Sequence, residues 1–361
     1  MSDKIYKAIG LMSGTSLDGE IDVALVETDG HGFVKPLGFY AHPYDQRARD
    51  LVRSCFGKRA EDVETRAAEG LVTYQHIAAV KESGFEADVI GFHGQTITHA
   101  PEDGFTWQLG DGARLAAETG MDVICDFRSA DMEAGGQGAP LAPLYHAAIM
   151  AGRDGPLAVL NLGGVANVTY IDGKYILAFD TGPGNALMDD YALSHLGVNY
   201  DPDGAFAAAG QVDERAVAAF LEHPYFAAAP PKSLDRNDFE AGLPALPGDP
   251  NDALASLAAF TVEGVAASLA HFPQAPERWY VCGGGRKNAF VMAQLAARLG
   301  VPVEGIEALG HNGDAIEAEC FGYLAVRSVL GLPLSLPETT GVAEPCCGGV
   351  IHPHSALKTG N

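Results

Sequence analysis

One carboxylate and several glycine-rich turns are the parts of this 361-residue chain whose types and spacing could do chemistry. Asp180 heads Asp180-Thr181-Gly182-Pro183-Gly184-Asn185, after an apolar run and before a helical one. A carboxylate at a strand end can point into a cleft as a general base. An aspartate before Gly-Pro can equally close an Asx-turn or cap a helix. Asn185, Asp189 and Asp190 fit a first helical turn, where the dipole favours negative charge. Gly14-Thr15-Ser16-Leu17-Asp18-Gly19 has glycines that permit a sharp turn, and amides and hydroxyls that suit a nest for phosphate oxygens. An ordinary hairpin would use the same residues. No Gly-Lys-Ser/Thr follows, so this is not the P-loop pattern. Asn161-Leu162-Gly163-Gly164 and Cys282-Gly283-Gly284-Gly285 are two more glycine turns, the second suited to a flat ligand or to tight strand–helix packing. Asp314-Ala315-Ile316-Glu317 matches a capping box, which offers Glu317 a structural role. His93 and His99 are candidate ligands or simply hydrogen-bonded histidines, and no histidine-rich metal spacing occurs.

The elements that must position these residues follow from hydrophobic patterning. Apolar runs at 7–12, 21–28 and 34–40 predict a strand–glycine loop–strand–turn–strand meander, with Asp29-Gly30-His31-Gly32 as its turn. Helices are expected at 45–54 and 60–83. A buried strand at 89–92 then delivers His93-Gly94-Gln95-Thr96 at its C-terminal end, where open α/β sheets bind ligands. Strands at 105–109 and 121–125 flank a helix at 112–119. Asp126-Phe127-Arg128 and Gly135-Gly136-Gln137-Gly138-Ala139-Pro140 form a long polar loop of the kind that is often functional. The pattern then restarts. Strands at 157–162, 168–171 and 175–179 repeat the meander, followed by a helix at 252–271, a strand at 279–282, a helix at 288–299, a strand at 301–304 and a last helix at 314–329. Gly331 and Pro333 end that helix. The repetition predicts a duplicated α/β domain with a ligand cleft between the copies. A nucleotide-using enzyme is the leading class and a nucleotide-gated clamp the second, and fold alone does not separate them.

Composition narrows the field. The formal charge is −24, from 47 acidic and 23 basic residues, with no basic run. That argues against binding a nucleic-acid backbone. The six cysteines fall in no Cys-x-x-Cys pattern, so reduced structural thiols in the cytoplasm are expected and a zinc site is not. The polar start has no signal-peptide core. No uninterrupted apolar stretch of about 18–20 residues is present, so no membrane span is expected.

Taken together, the motifs resemble the anhydro-N-acetylmuramic acid kinase family. The resemblance rests on 10–19, Phe92-His93-Gly94-Gln95-Thr96, Asp126-Phe127-Arg128, 135–141, Asn161–Gly164, 179–185 and 282–285, in the family's order and over nearly the whole chain. It implies the actin/hexokinase/Hsp70-like fold, two RNase H-like α/β domains around a central ATP cleft. The expected division is 1–152, 153–331 and a tail, 332–361, with Thr339-Thr340-Gly341, packing back toward the first domain. It further implies ATP- and Mg²⁺-dependent conversion of 1,6-anhydro-N-acetylmuramic acid, with water, to N-acetylmuramic acid 6-phosphate, by a cytoplasmic homodimer of cell-wall recycling.

By the same resemblance Asp180 is the catalytic base. Gly14, Thr15, Ser16, Leu17, Asp18, Gly19, Glu20 and Ile21 hold phosphates, faced by Asn161, Gly163 and Gly164, and Gly283, Gly284 and Gly285 lie beside the adenosine. His93, Gln95, Thr96, Arg128, Gly138 and Glu317 meet the sugar, with Arg128 a partner for the lactyl carboxylate. The superfamily's usual first-strand aspartate is replaced by Met12-Ser13. The metal ligands are therefore unassigned: Asp18 substitutes, or Mg²⁺ is held mainly by water and ATP. Related anhydrosugar kinases of the levoglucosan type, and an actin- or chaperone-like ATPase clamp, are the alternatives.

Overall fold

A computed structural model describes residues 4–14, 17, 19–234, 239 and 242–354. The chain forms two compact units, Met1–Gly152 with Ala315–Asn361, and Arg153–Asp314.

The first unit is built on β1 (Tyr6–Met12), β2 (Glu20–Thr28), β3 (Val34–Pro43), β4 (Val89–Phe92), β5 (Gln95–Ala100), β6 (Phe105–Leu109) and β7 (Asp122–Cys125). Its main sheet runs β7-β4-β1-β2-β3, and a short strand, Val350–His352, adds antiparallel to β7. β1 pairs antiparallel with β2 and parallel with β4. Ala8 to Leu11 are wholly or nearly wholly buried, as a central strand covered on both faces requires. β3 is the edge strand; its pairing with β2 shifts register between Leu25 and Val26, where Pro36 stands opposite without an N–H to offer. β5 and β6 form a separate hairpin.

The helix Ile316–Val329 belongs to this unit. Gly10 and Gly91 are partners across β1 and β4. A Cβ on Gly10 would lie 1.7 Å from the Ala318 carbonyl oxygen, and one on Gly91 2.0 Å from that of Phe321. The two glycines thus form a trough in which the helix backbone rests directly on the sheet. Hence residues 315–331, expected with the second domain, group with the first. The reason is packing: the helix backbone lies against this trough and its face is buried there.

The second unit contains β8 (Leu157–Leu162), β9 (Val165–Asp172), β10 (Tyr175–Pro183), β11 (Arg278–Cys282) and β12 (Val303–Gly305). Their order is β10-β9-β8-β11-β12, antiparallel through the meander and parallel from β8 onward. That is the order and sense of β3-β2-β1-β4-β7. The chain is a duplicated RNase H-like α/β fold, as in the actin/hexokinase/Hsp70-like class. The run Pro250–His271 is apolar and long enough to cross a membrane by length and composition. Its helix, Pro250–Ala267, is mostly buried in the second unit's core against residues such as Leu160, Phe179 and Phe220, the position of a core helix. All six cysteines are free thiols.

Candidate active site

In the first unit the expected phosphate loop is anchored from beneath. Thr15, Ser16 and Asp18 lie outside the described residues. Leu17 is buried with φ +49°, a left-handed conformation uncommon for a branched residue, and its N–H donates to the Gly14 carbonyl (3.1 Å). Its own carbonyl accepts from Arg49 Nη1 (2.9 Å) and Arg53 Nη2 (3.3 Å). Gly19, at φ +114°, accepts from the Tyr44 amide (2.7 Å). Gln95, wholly buried, donates from Nε2 to the Gly14 carbonyl (3.2 Å), so two motifs distant in sequence meet here. Glu20 and Ile21 are the first residues of β2, and the Ile21 side chain is in the core.

A second cluster forms where β4 and β7 end. The His93 ring is buried beside the Phe321 ring, centroids 4.4 Å apart. Its Nδ1 lies 2.8 Å from the Gly94 carbonyl, which fixes that nitrogen as the protonated one. Nε2 then accepts from Arg128 Nε (3.1 Å) and Nη2 (2.9 Å), while Arg128 Nη1 donates to the Gly138 carbonyl (2.6 Å). Burial, with the Arg128 charge adding to it, pushes the His93 pKa well below the ordinary imidazole value. His93 is therefore neutral near pH 7 and acts as an acceptor. Burial also lowers Arg128, to about 10, against the opposing influence of Cys320, Glu317 and Asp131; the guanidinium stays charged near neutrality. Gly138 sits at φ +69°, with Met132 Cγ only 2.8 Å from where a Cβ would stand. Thr96 Oγ1 accepts from Gln108 Nε2 (3.3 Å) on the neighbouring strand. Burial lowers His99 to about 4, with Arg128 adding to it; its Nδ1 lies 3.0 Å from Thr106 Oγ1. A cavity of about 220 Å³ opens beside His93, lined also by Trp107, Gln108, Asp126 and Ser129.

The capping role of Glu317 is not observed. Helix Ile316–Val329 begins at Ala315 with no side-chain cap. Asp314 Oδ1 instead pairs with Arg286 Nη1 and Lys287 Nζ, both at 2.9 Å.

In the second unit three glycine turns interlock at the ends of β8, β10 and β11. The amides of Asn185 and Gly184 donate to the carbonyls of Gly163 (2.8 Å) and Gly164 (3.0 Å), and Asn185 Nδ2 donates to Leu162 O (3.1 Å). A Cβ on Gly184 would stand 2.1 Å from Gly163 O; one on Gly283, 2.3 Å from Asn161 Oδ1; one on Gly285, 2.7 Å from Asn185 Oδ1. Gly284, between them, has open space on its side-chain face. A flat ligand could lie on bare backbone there. Arg286 Nη1 holds the Gly283 carbonyl (3.0 Å), and Nε pairs with Glu307 (2.7 Å).

Asp180 lies within β10 rather than after it, opposite Asn167 and just before a register shift at Gly182. It is tied to the segment 225–234, distant in sequence. Its amide donates to Lys232 O (3.0 Å), its carbonyl accepts from Tyr225 OH (2.7 Å), and its Oδ2 accepts from the Leu234 amide (2.8 Å). The segment 225–234 therefore clasps the carboxylate. Lys232 packs over the Tyr225 ring (4.6 Å), donates to the Tyr225 carbonyl (2.9 Å), and has its pKa lowered by burial. Tyr225, Lys232, Leu234 and Asp131 were not anticipated. Only Pro230-Pro231-Lys232, a stiff turn beside a cation, offered a signal in the sequence.

Among the described residues no three His, Cys, Asp or Glu side chains gather as a metal cage. A larger hollow of about 540 Å³ between helices of the second unit, lined by residues such as Val217, Ala259, Phe290 and Arg298, includes none of the expected site residues.

A family model described as Anhydro-N-acetylmuramic acid kinase matches residues 6–354. Relatives of that name include one from Rhizorhabdus wittichii, 51% identical over 96% of this chain and 98% of its own, and one from Paramagnetospirillum magneticum, 50% identical over 96% and 99%. A solved ROK family glucokinase from Streptomyces griseus overlaps at TM-score 0.43 and 14% identity, covering 88% of this chain and 99% of that one. That likeness is too low to add to what the topology shows.

Proposed function

Because the chain belongs to the anhydro-N-acetylmuramic acid kinase family, we propose that Asp180 is the base which deprotonates the attacking water, and that the Arg128–His93–Gly138 cluster receives the sugar. In the family's reaction, water attacks the anomeric carbon, the bond from that carbon to the 6-oxygen breaks, and the 6-oxygen takes the γ-phosphoryl group of ATP. The products are N-acetylmuramic acid 6-phosphate and ADP. The water's surplus proton must go to a nearby base. Asp180 suits this because its backbone and one carboxylate oxygen are fixed by Lys232, Tyr225 and Leu234, so the carboxylate is oriented before substrate arrives.

The single observation that carries the sugar assignment is the Arg128 fork. A half-buried guanidinium that stays charged, held in a fixed orientation by a neutral histidine and a carbonyl, is set up to receive an anion. The lactyl carboxylate is such an anion. His93, Gln95, Thr96, Gly138 and Glu317 complete that side. Gly14 to Ile21 and Asn161, Gly163 and Gly164 are proposed to hold the phosphates, and Gly283, Gly284 and Gly285 the adenosine, with open Gly284 as the contact. Phosphoryl transfer needs positioning and charge stabilisation more than covalent help.

Mg²⁺ is proposed to enter with ATP. The scattered acidic residues fit an ion held chiefly by phosphates and water, with Asp18 as the candidate protein ligand. When bound, it supplies positive charge to the transferring phosphoryl group. A cytoplasmic homodimer is proposed from family membership.

The test is coupled ADP release with ATP alone, with 1,6-anhydro-N-acetylmuramic acid, and with levoglucosan, which lacks the lactyl and acetamido groups. Turnover only with the first sugar is expected. Equal turnover with levoglucosan would overturn the Arg128 role, and sugar-independent ATP turnover would overturn the kinase reading.

A further inference from the structure

We propose that residues 334–341 form a strap that sets the position of Arg128, acting through the buried carboxylate of Asp131. Asp131, Ser335 and Thr340 are then positioning residues for the sugar. This rests on the reading of Arg128 as a sugar contact.

Asp131 is 3% exposed and lies one turn beyond Arg128 on the short helix Ser129–Glu133. Its Oδ1 accepts from Thr340 Oγ1 (2.6 Å) and from the Ser335 hydroxyl. Its Oδ2 accepts from the Gly138 amide (2.6 Å). Buried carboxylate oxygens need hydrogen-bond donors, and here they come from two segments some two hundred residues apart in the chain. The strap also grips the loop directly, since Thr340 O accepts from the Gln137 amide (2.8 Å). The loop backbone is pressed against the carboxylate: a Cβ on Gly136 would stand 2.3 Å from Asp131 Oδ2. The strap is itself buried, with Ser335 and Thr340 at 1% and 0% exposure, and tied down through Leu334 and Ser335 to Cys346.

The connection to the sugar is one bond further. Gly138 offers its amide to Asp131 and its carbonyl to Arg128 Nη1. A shift of Asp131 or of the strap therefore moves the acceptor that fixes the guanidinium. The motif Thr339-Thr340-Gly341 gains a task that packing alone would not require, since a valine would fill the Thr340 site equally well.

The experiment compares Thr340→Val, Thr340→Ser and Asp131→Asn with wild type in full-length protein, measuring KM for the anhydro-sugar, KM for ATP, kcat and the thermal midpoint. Thr340→Val and Asp131→Asn are expected to raise the sugar KM about tenfold, the cost of loosening one charge-assisted hydrogen bond. ATP KM and kcat should stay within about twofold, and Thr340→Ser should restore the wild-type sugar KM. Equal rises in both KM values with a falling midpoint would mean a merely structural role and overturn the proposal. Arg128→Ala is the control. If it raises the sugar KM while Thr340→Val does not, the strap is refuted and the site reading stands. If Arg128→Ala leaves the sugar KM unchanged, the site reading falls and the strap with it. Should Thr340→Val not fold, Ser335→Ala carries the same comparison, and an unchanged sugar KM there refutes the strap.

Discussion

Asp180→Asn isolates proton chemistry from structure. The asparagine has the same shape, keeps an oxygen for the Leu234 amide now at 2.8 Å, and leaves the main-chain bonds to Lys232 O and Tyr225 OH in place. What it loses is the ability to take a proton. General-base catalysis contributes about 10²–10⁴ in rate, or roughly 3–5.5 kcal/mol of barrier. Coupled ADP release at saturating sugar and ATP should therefore fall by that factor. ATP affinity by calorimetry should stay within about twofold, since the change removes no contact made equally in ground and transition states. The thermal midpoint should not move, because the bonds to Leu234, Lys232 and Tyr225 survive. A variant retaining more than about a tenth of wild-type kcat would refute the base assignment. A variant that loses ATP affinity and thermal stability together would show that the carboxylate serves the β10 edge and not the water.

Three further outcomes follow from the geometry. Gly91→Ala places a methyl 2.0 Å from the Phe321 carbonyl oxygen and should destabilise by about 3 kcal/mol or prevent folding. Gly70→Ala, at a half-buried position of helix Val63–Ser83 where an added Cβ meets nothing within 4 Å, should stabilise by about 0.5–1 kcal/mol; urea unfolding of both tests the contrast, and a tolerated Gly91→Ala would refute the trough. Buried His76 and His146, lowered by burial to about 4 and about 3, bind protons in the unfolded chain before the folded one does. Stability should thus be fully present above pH 6.5 and fall as pH drops from there toward 4, by on the order of 2 kcal/mol for each histidine by pH 5; urea midpoints flat between pH 7 and 5 would contradict this. Tyr225→Phe removes the hydroxyl bonded to the Asp180 carbonyl and should lower kcat severalfold at unchanged KM for ATP; unchanged kcat would remove Tyr225 from the clasp.

The strands were legible because branched apolar runs alternate with glycine turns, and those signals are local. β5 was passed over although Gln95-Thr96-Ile97-Thr98-His99 alternates as a strand should; the loop reading of the histidine motif ran through it. The placement of helix Ile316–Val329 was not legible, because its site is a pair of glycines about 300 and 230 residues earlier that become neighbours only through β1–β4 pairing. The capping alternative for Glu317 fails for a related reason: Asp314 satisfies the capping spacing, yet two cations draw it elsewhere. At the site, residue type and position pointed to Asp180, and the family resemblance to Arg128. The partners that fix them, Leu234 and Asp131 with Thr340, are set by tertiary contacts with no local signature.

The duplication also accounts for the proposed base standing in the second copy. In each unit the third strand of the meander is a sheet edge with unpaired backbone groups, a liability that must be managed. The first unit manages it on β3 with a register shift, Pro36 and charged neighbours such as Lys35. The second covers the end of β10 with its own chain: the Asp180 amide, facing outward from the edge, is taken by Lys232 O, and the same segment returns the Leu234 amide to the carboxylate. Protection of an edge and orientation of an acid are then one structure. A carboxylate on β3 would have no such cover and would be solvated like any surface aspartate. On β10, covering the edge also orients the carboxylate. Moving the segment 225–234 away should accordingly lower kcat before it lowers stability, the order expected if the cover evolved for the carboxylate as much as for the edge.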